Sequence, residues 1–360
     1  MNEAGATAKA RSAAPARASL EDLSPSYFSL VMATGIVSLA AHEHGLEMIA
    51  RVLFWFNALA WVLLWCLNVL RMMRYPQRFF GDLVDHLRGP GFFTSVAATA
   101  VLAAQFVILA GNDRVAMLLG VISLLLGSGL TYAIFAAFIV KDVKPKLDHG
   151  IGGGWLLAVV ATQSLAVLGA LLAAHANPPW REGLNFFALS MWLWGGMFYI
   201  WMVSLIFYRD TFFHFVPDDL TPTYWINMGA MAISTLAGAL LVLNAPDAPL
   251  LQSLEPFLKG FTVFYWATGT WWIPMLVVLD LWRYVVKRSP IRYDPLYWGA
   301  VFPNGMYAVC TYEMARALSL GFLDFLSIAF LCVALLAWTA AFAGLLYHLV
   351  RLTRGARRRR

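Results

Sequence analysis

Few side chains in this chain of 360 residues could do chemistry inside its long apolar stretches. Glu313 and Arg316 stand one helical turn apart, as do Asp280 and Arg283, spacings that favour local ion pairs. His42, Glu43 and His44 close the first apolar stretch, and His348 lies near the end of the last. An ionisable group at mid-depth would mark a proton relay or an ion site. These groups sit toward stretch ends, where paired or snorkelling side chains are the common outcome. Asp218-Asp219 is a lone acidic pair, and Gly150-Ile151-Gly152-Gly153-Gly154 lacks the lysine and the preceding strand of a phosphate loop. Neither zinc-ligand spacing nor a serine elbow occurs. The sequence thus points away from an enzyme, with no catalytic residue, no metal and no cofactor expected.

One stretch stands out: Tyr297-Trp298-Gly299-Ala300-Val301-Phe302-Pro303-Asn304-Gly305-Met306-Tyr307 opens an apolar segment with a proline, glycines and an asparagine near its middle. Proline in a helix removes one backbone donor and crowds the carbonyl four residues earlier. In hydrocarbon, such a defect persists only where neighbouring helices or a water-filled cavity satisfy that carbonyl. The expectation is a broken helix on a pore axis, kinked at Pro303 and Gly305, with Phe302 as candidate wall and plug. Ordinary packing is the competing account of Phe302.

The elements that must hold these residues follow from composition. The chain is 61% apolar and only 13% charged, against about 25% charged in soluble domains. That excludes a water-facing globule and implies a polytopic membrane protein, with 15 tryptophans suited to the headgroup level. Cys66, Cys310 and Cys332 fall within apolar segments and read as packing residues. Residues 1–24 read as a disordered cytoplasmic head without a signal peptide, 25–350 as the membrane domain, and 351–360 as a basic cytoplasmic tail. For that tail a place beside anionic lipid fits better than nucleic acid.

Ten apolar segments approach the roughly 20 residues that span hydrocarbon: 26–43, 49–71, 91–110, 115–139, 154–174, 184–208, 222–243, 257–285, 296–318 and 322–350. With this alternation Arg51, Arg114, Arg181, Lys259 and Arg316 fall on one side, and the other 21 of 26 basic residues on the other. The positive-inside rule then puts both termini in the cytoplasm, as expected of an inner-membrane protein. The odd segments open near Pro25, Pro90, Gly154, Pro222 and Pro295, which predicts a helical hairpin repeated five times. Parallel repeats are related by an axis along the membrane normal, so a ring around a central hole is expected.

Odd segments also carry the small and polar residues, among them Thr34, Gly35, Ser38, Thr162, Gln163, Ser234 and Asn304; even segments carry bulk such as Trp192-Leu193-Trp194. This predicts inner odd helices lining a path and outer even helices against lipid. A second account is that small and polar residues mark helix–helix contacts. A path without fixed charge, lined by hydroxyls and helix-end dipoles, would suit anions held weakly enough to leave.

Met32-Ala33-Thr34-Gly35-Ile36-Val37-Ser38, Trp271-Trp272-Ile273-Pro274 and Phe302-Pro303-Asn304-Gly305-Met306-Tyr307-Ala308 resemble the tellurite-resistance/dicarboxylate transporter family. That family includes slow-type anion channels, malate permeases and sulfite exporters, and the resemblance extends over roughly residues 24–350. It implies an all-α membrane protein of ten transmembrane helices, five hairpins in a quasi-fivefold arrangement around a central pore, assembled as a homotrimer. It further implies a gating phenylalanine at Phe302, no cofactor, and C4-dicarboxylates such as malate as cargo, or alternatively sulfite, chloride or nitrate. Asn304 departs from the family's expected smaller or hydrophobic residue.

Overall fold

A computed structural model describes residues 20–290 and 294–357, the last six as backbone alone. Of the expected disordered head, residues 1–19 lie outside the described residues, and Leu20–Asp22 forms a 3-10 turn. Arg358 to Arg360 of the expected tail likewise lie outside them.

Every regular element among the described residues is helical. Ten are long: α1 (Ser29–Glu43), α2 (Glu47–Arg74), α3 (Phe93–Ala110), α4 (Asp113–Val140), α5 (Leu157–His175), α6 (Trp180–Phe212), α7 (Ile226–Asn244), α8 (Glu255–Leu281), α9 (Trp298–Leu318) and α10 (Asp324–Arg357). Eight of these, with their flanking turns, are long and apolar enough to cross a membrane. The other two are α1 and α9. With 15 residues, α1 is about 22 Å long at ~1.5 Å per residue, short of the ~30 Å hydrocarbon core. Apolar length in α9 is interrupted by Pro303, Asn304, Glu313 and Arg316.

Burial explains how both persist. From Ser29 to Ala41 every residue of α1 is buried, and α9 is buried almost throughout. They pack against each other, so protein rather than lipid is their solvent and high hydropathy is not demanded of them. The same division holds along the chain. Most of α3, α5 and α7 is buried, whereas α2, α4, α6, α8 and α10 bury one stripe and expose Trp55, Tyr132, Phe207, Trp271 and Leu336. Each odd helix packs on the even helix that follows it. Each also packs on the next odd helix, and α9 packs on α1.

Five 3-10 turns lead into the odd helices: Pro25–Phe28, Gly89–Phe92, Gly153–Leu156, Pro222–Trp225 and Pro295–Tyr297. Each touches the next, and the last touches the first. Proline suits four of them because its missing donor is unneeded at a helix start. Gly153 replaces it in the third for a steric reason. A Cβ there would stand 2.6 Å from the Thr223 carbonyl oxygen and 2.8 Å from the Tyr224 nitrogen. Gly154 has open space at the corresponding point. Gly153→Ala is therefore expected to lower the melting temperature in detergent, while Gly154→Ala leaves it within error. Equal effects of the two would remove this turn-to-turn contact as a constraint.

A basic residue near the end of four even helices holds the segment just before the turn of its own pair. Arg71 Nε donates to the Glu21 carbonyl (3.1 Å), Lys141 Nζ to Val84 (3.3 Å) and Arg209 Nη2 to Asp148 (3.2 Å), and Arg283 donates to Leu220. The equivalent segment before Pro295 includes residues 291–293, outside the described residues. Arg71 and Arg209 are themselves buried: Arg71 pairs with Asp82, and Arg209 with Asp210 and Asp219, both at 3.1 Å. The local Asp280–Arg283 pair expected from spacing does not form. Asp280 instead accepts from Trp225 Nε1 at 2.8 Å, while the Leu220 carbonyl holds Arg283.

Candidate conduction path

α9 continues as a helix across Pro303 without the expected break, although the proline supplies no backbone donor. The proline ring is accommodated by its neighbour: the Cβ position of Gly229 on α7 lies 2.9 Å from Pro303 Cγ. Gly305 faces the other way, its Cβ position 3.0 Å from Ile36 and 3.1 Å from Val37 of α1. At about 100° per residue, Phe302, Met306, Val309 and Glu313 share the face between those two contacts, and Asn304 lies opposite. Phe302 has no solvent-exposed surface.

Above Phe302 on that stripe lies a cavity of about 40 Å³, room for about three or four waters at ~10–15 Å³ of such volume each. All five odd helices contribute to its wall, with Ile36 of α1, Ala104 of α3, Val167 of α5, Leu236 of α7 and Met306 of α9 at corresponding points. Its one hydroxyl, Ser164, donates to its own helix at Val160 (2.7 Å). The remaining polar wall is two carboxylates, Glu43 and Glu313.

The expected lining residues stand elsewhere. None of Thr34, Gly35, Ser38, Thr162, Gln163, Ser234 and Asn304 borders this cavity. Thr34 accepts from Trp338 Nε1 of α10 (2.9 Å), Ser38 donates to Ala50 of α2 (2.7 Å), and Gln163 donates to Trp192 of α6 (3.0 Å). Gly35 closes on Val101 and Asn57, 2.5 and 2.8 Å from its Cβ position. Thr162, Ser234 and Asn304 donate to their own helices at Ala158, Ala230 and Ala300. The carbonyl of Ser234 accepts from Trp192 Nε1 (2.8 Å). The reason is economy of partners. A polar group without water must find a donor or acceptor nearby, and the adjoining helix or its own preceding turn offers one where the axis does not. These polar residues thus bond to the adjoining helix or back to their own, and most of the cavity wall is apolar.

Nor is the cavity wall free of ionisable groups. Glu313 is held by Arg316, whose Nη1 lies 2.8 and 2.9 Å from its two oxygens, as the spacing predicts. Glu43 has no such partner: its Oε2 is closed off from solvent and makes no hydrogen bond. In the sequence Glu43 stands among polar groups at the end of an apolar stretch, and it shares the stripe Ile36–Leu39–Glu43, matched by Met306–Val309–Glu313. Their spacing of three and four residues is visible in the sequence. Helices that are apolar on every face give no contrast to pick it out.

The family model described as SLAC1, voltage-dependent anion channel, matches residues 22–346. An uncharacterised transporter of Methanocaldococcus jannaschii is 26% identical over 332 residues, 89% of this chain and 92% of that protein. A Mycobacterium tuberculosis membrane protein, also uncharacterised, is 41% identical over 151 residues, 42% of this chain and 76% of its own. The malic acid transport protein of Schizosaccharomyces pombe is 21% identical over 316 residues, 81% of this chain and 70% of its own.

Proposed function

The chain belongs to the SLAC1 voltage-dependent anion channel family, and from that premise we propose that it moves C4-dicarboxylates such as malate along the axis of its odd helices, with Phe302 as the gate. Ten spans, paired as five hairpins in quasi-fivefold order, surround that axis. The protein sits in the inner membrane with both termini in the cytoplasm and assembles as a homotrimer of separate paths.

One observation carries this reading: a single cavity is walled by all five odd helices, and the α9 stripe that walls it continues to Phe302. A space for about three or four waters cannot pass a dicarboxylate, so the conformation is closed and must widen to conduct. Pro303 against Gly229, and Gly305 against α1, give α9 smooth surfaces on which to shift. Malate is favoured over other anions by the likeness to the Schizosaccharomyces pombe protein. The relevant test is flux of malate, sulfite, chloride and nitrate into proteoliposomes. Malate fastest is the expected result. Sulfite or an inorganic anion fastest reassigns the cargo, and no flux of any of them removes the transport reading.

A further inference from the structure

Two carboxylates in the wall of an anion path need an explanation. Glu43, at the end of α1, and Glu313, on α9, both border the cavity at the end away from Phe302. The charged and titratable groups around Glu43 are few. From α9 come Glu313, Arg316 and the buried thiol of Cys310. On its own helix His42 is held at 2.6 Å by Glu47 of α2, which also reaches Arg51. The ring of His44 turns away, contacting the Ala40 carbonyl (2.9 Å) and Ser327 of α10 (3.1 Å), and lies 5.4 Å from the Tyr312 ring. The walls from α3, α5 and α7 are apolar apart from Ser164.

The one cation in direct contact with the carboxylates, Arg316, is committed to Glu313 by both oxygens. With both carboxylates ionised, this trio carries a net charge of −1. An anion on the axis would meet that charge across low-dielectric walls, where repulsion between like charges is strong. Glu43 is the member that can relieve it. Its closed-off Oε2 has no donor, so a proton there would neutralise the trio at no loss of an existing hydrogen bond.

We infer that Glu43 is a proton-binding site in the conduction path, and that an anion passes the outer end of the axis when Glu43 is protonated. Acid on the Glu43 side therefore accelerates transport, and the proton is the ligand this site takes. The inference rests on the anion-path reading above, and the two fail differently.

The experiment is nitrate flux into oriented proteoliposomes with the pH varied on the Glu43 side alone, in the intact protein, Glu43→Gln and Glu313→Gln. Nitrate is chosen because it does not itself titrate in that range. For the unaltered protein, flux is expected to rise with acidification, by up to about tenfold per pH unit where Glu43 is ionised. Glu43→Gln, neutral at every pH, should be fast in alkaline buffer and flat across the series. Glu313→Gln leaves Arg316 uncompensated, so flux should be raised in alkaline buffer and its pH response reduced. A pH response in Glu43→Gln equal to that of the intact protein overturns the inference and leaves the path in place. Absence of flux in all three at every pH, for nitrate and equally for malate, sulfite and chloride, overturns both. A second readout is independent of flux: infrared difference spectra on acidification should show a protonated carboxyl band that Glu43→Gln lacks, and a band unchanged in that variant also overturns the assignment.

Discussion

Phe302→Ala is expected to raise anion flux about tenfold or more, since relief of only ~1.4 kcal/mol of barrier has that effect. The side chain is fully buried and lies one turn beyond Met306 on the stripe that walls the cavity. Removing its ring frees space one turn from the cavity without touching Pro303 or Gly305, which face α7 and α1. Truncating a buried phenylalanine typically costs about 3–5 kcal/mol of stability, so the variant must be shown to elute as the intact protein does. Phe302→Leu supplies the graded control, with flux between the two. A well-folded Phe302→Ala protein with unchanged flux would take the ring out of the mechanism and leave it as packing.

The second large effect is on stability. Asp82→Asn should lower the detergent melting temperature more than Arg71→Met does. Arg71 is 1% exposed, and among the described residues Asp82 is its one charged partner. The Glu21 carbonyl takes its Nε, and its Nη1 has no partner. Neutralising Asp82 leaves a buried, uncompensated guanidinium, for which losses of about 3–5 kcal/mol are usual. Arg71→Met leaves Asp82 in its pair with Arg88 at 3.0 Å, so the remaining charge keeps a counter-ion. The reverse order would mean that Arg71 acts chiefly through the Glu21 carbonyl, as a tie to the chain before α1.

Much of the helical arrangement was legible in the sequence, because membrane crossing imposes length and apolarity on each segment. The openings at Pro25, Pro90, Gly154, Pro222 and Pro295 all lie in 3-10 turns, and the excess of small residues in odd segments goes with their burial. The wall of the cavity was not legible. Thr34, Ser38 and Gln163 look like pore hydroxyls and amides in a linear reading, yet their partners Trp338, Ala50 and Trp192 come from other helices, one of them some 300 residues away in sequence. Only tertiary structure says which face of a uniformly apolar helix meets water. Likewise Arg209 reads as an orientation signal until Asp148, Asp210 and Asp219 are seen around it.

The shortness of α1 bears on how the protein is made. It leaves the ribosome before the other nine long helices and is one of the two least able to remain in lipid alone. Its neighbours α9 and α10 are made after the other eight, and Trp338 reaches Thr34 only then. The opening helix must therefore wait, half supported by α2 and α3, until the final hairpin arrives. Truncation at the carboxyl end would accordingly expose the amino-terminal helix first, and proteases should find it there.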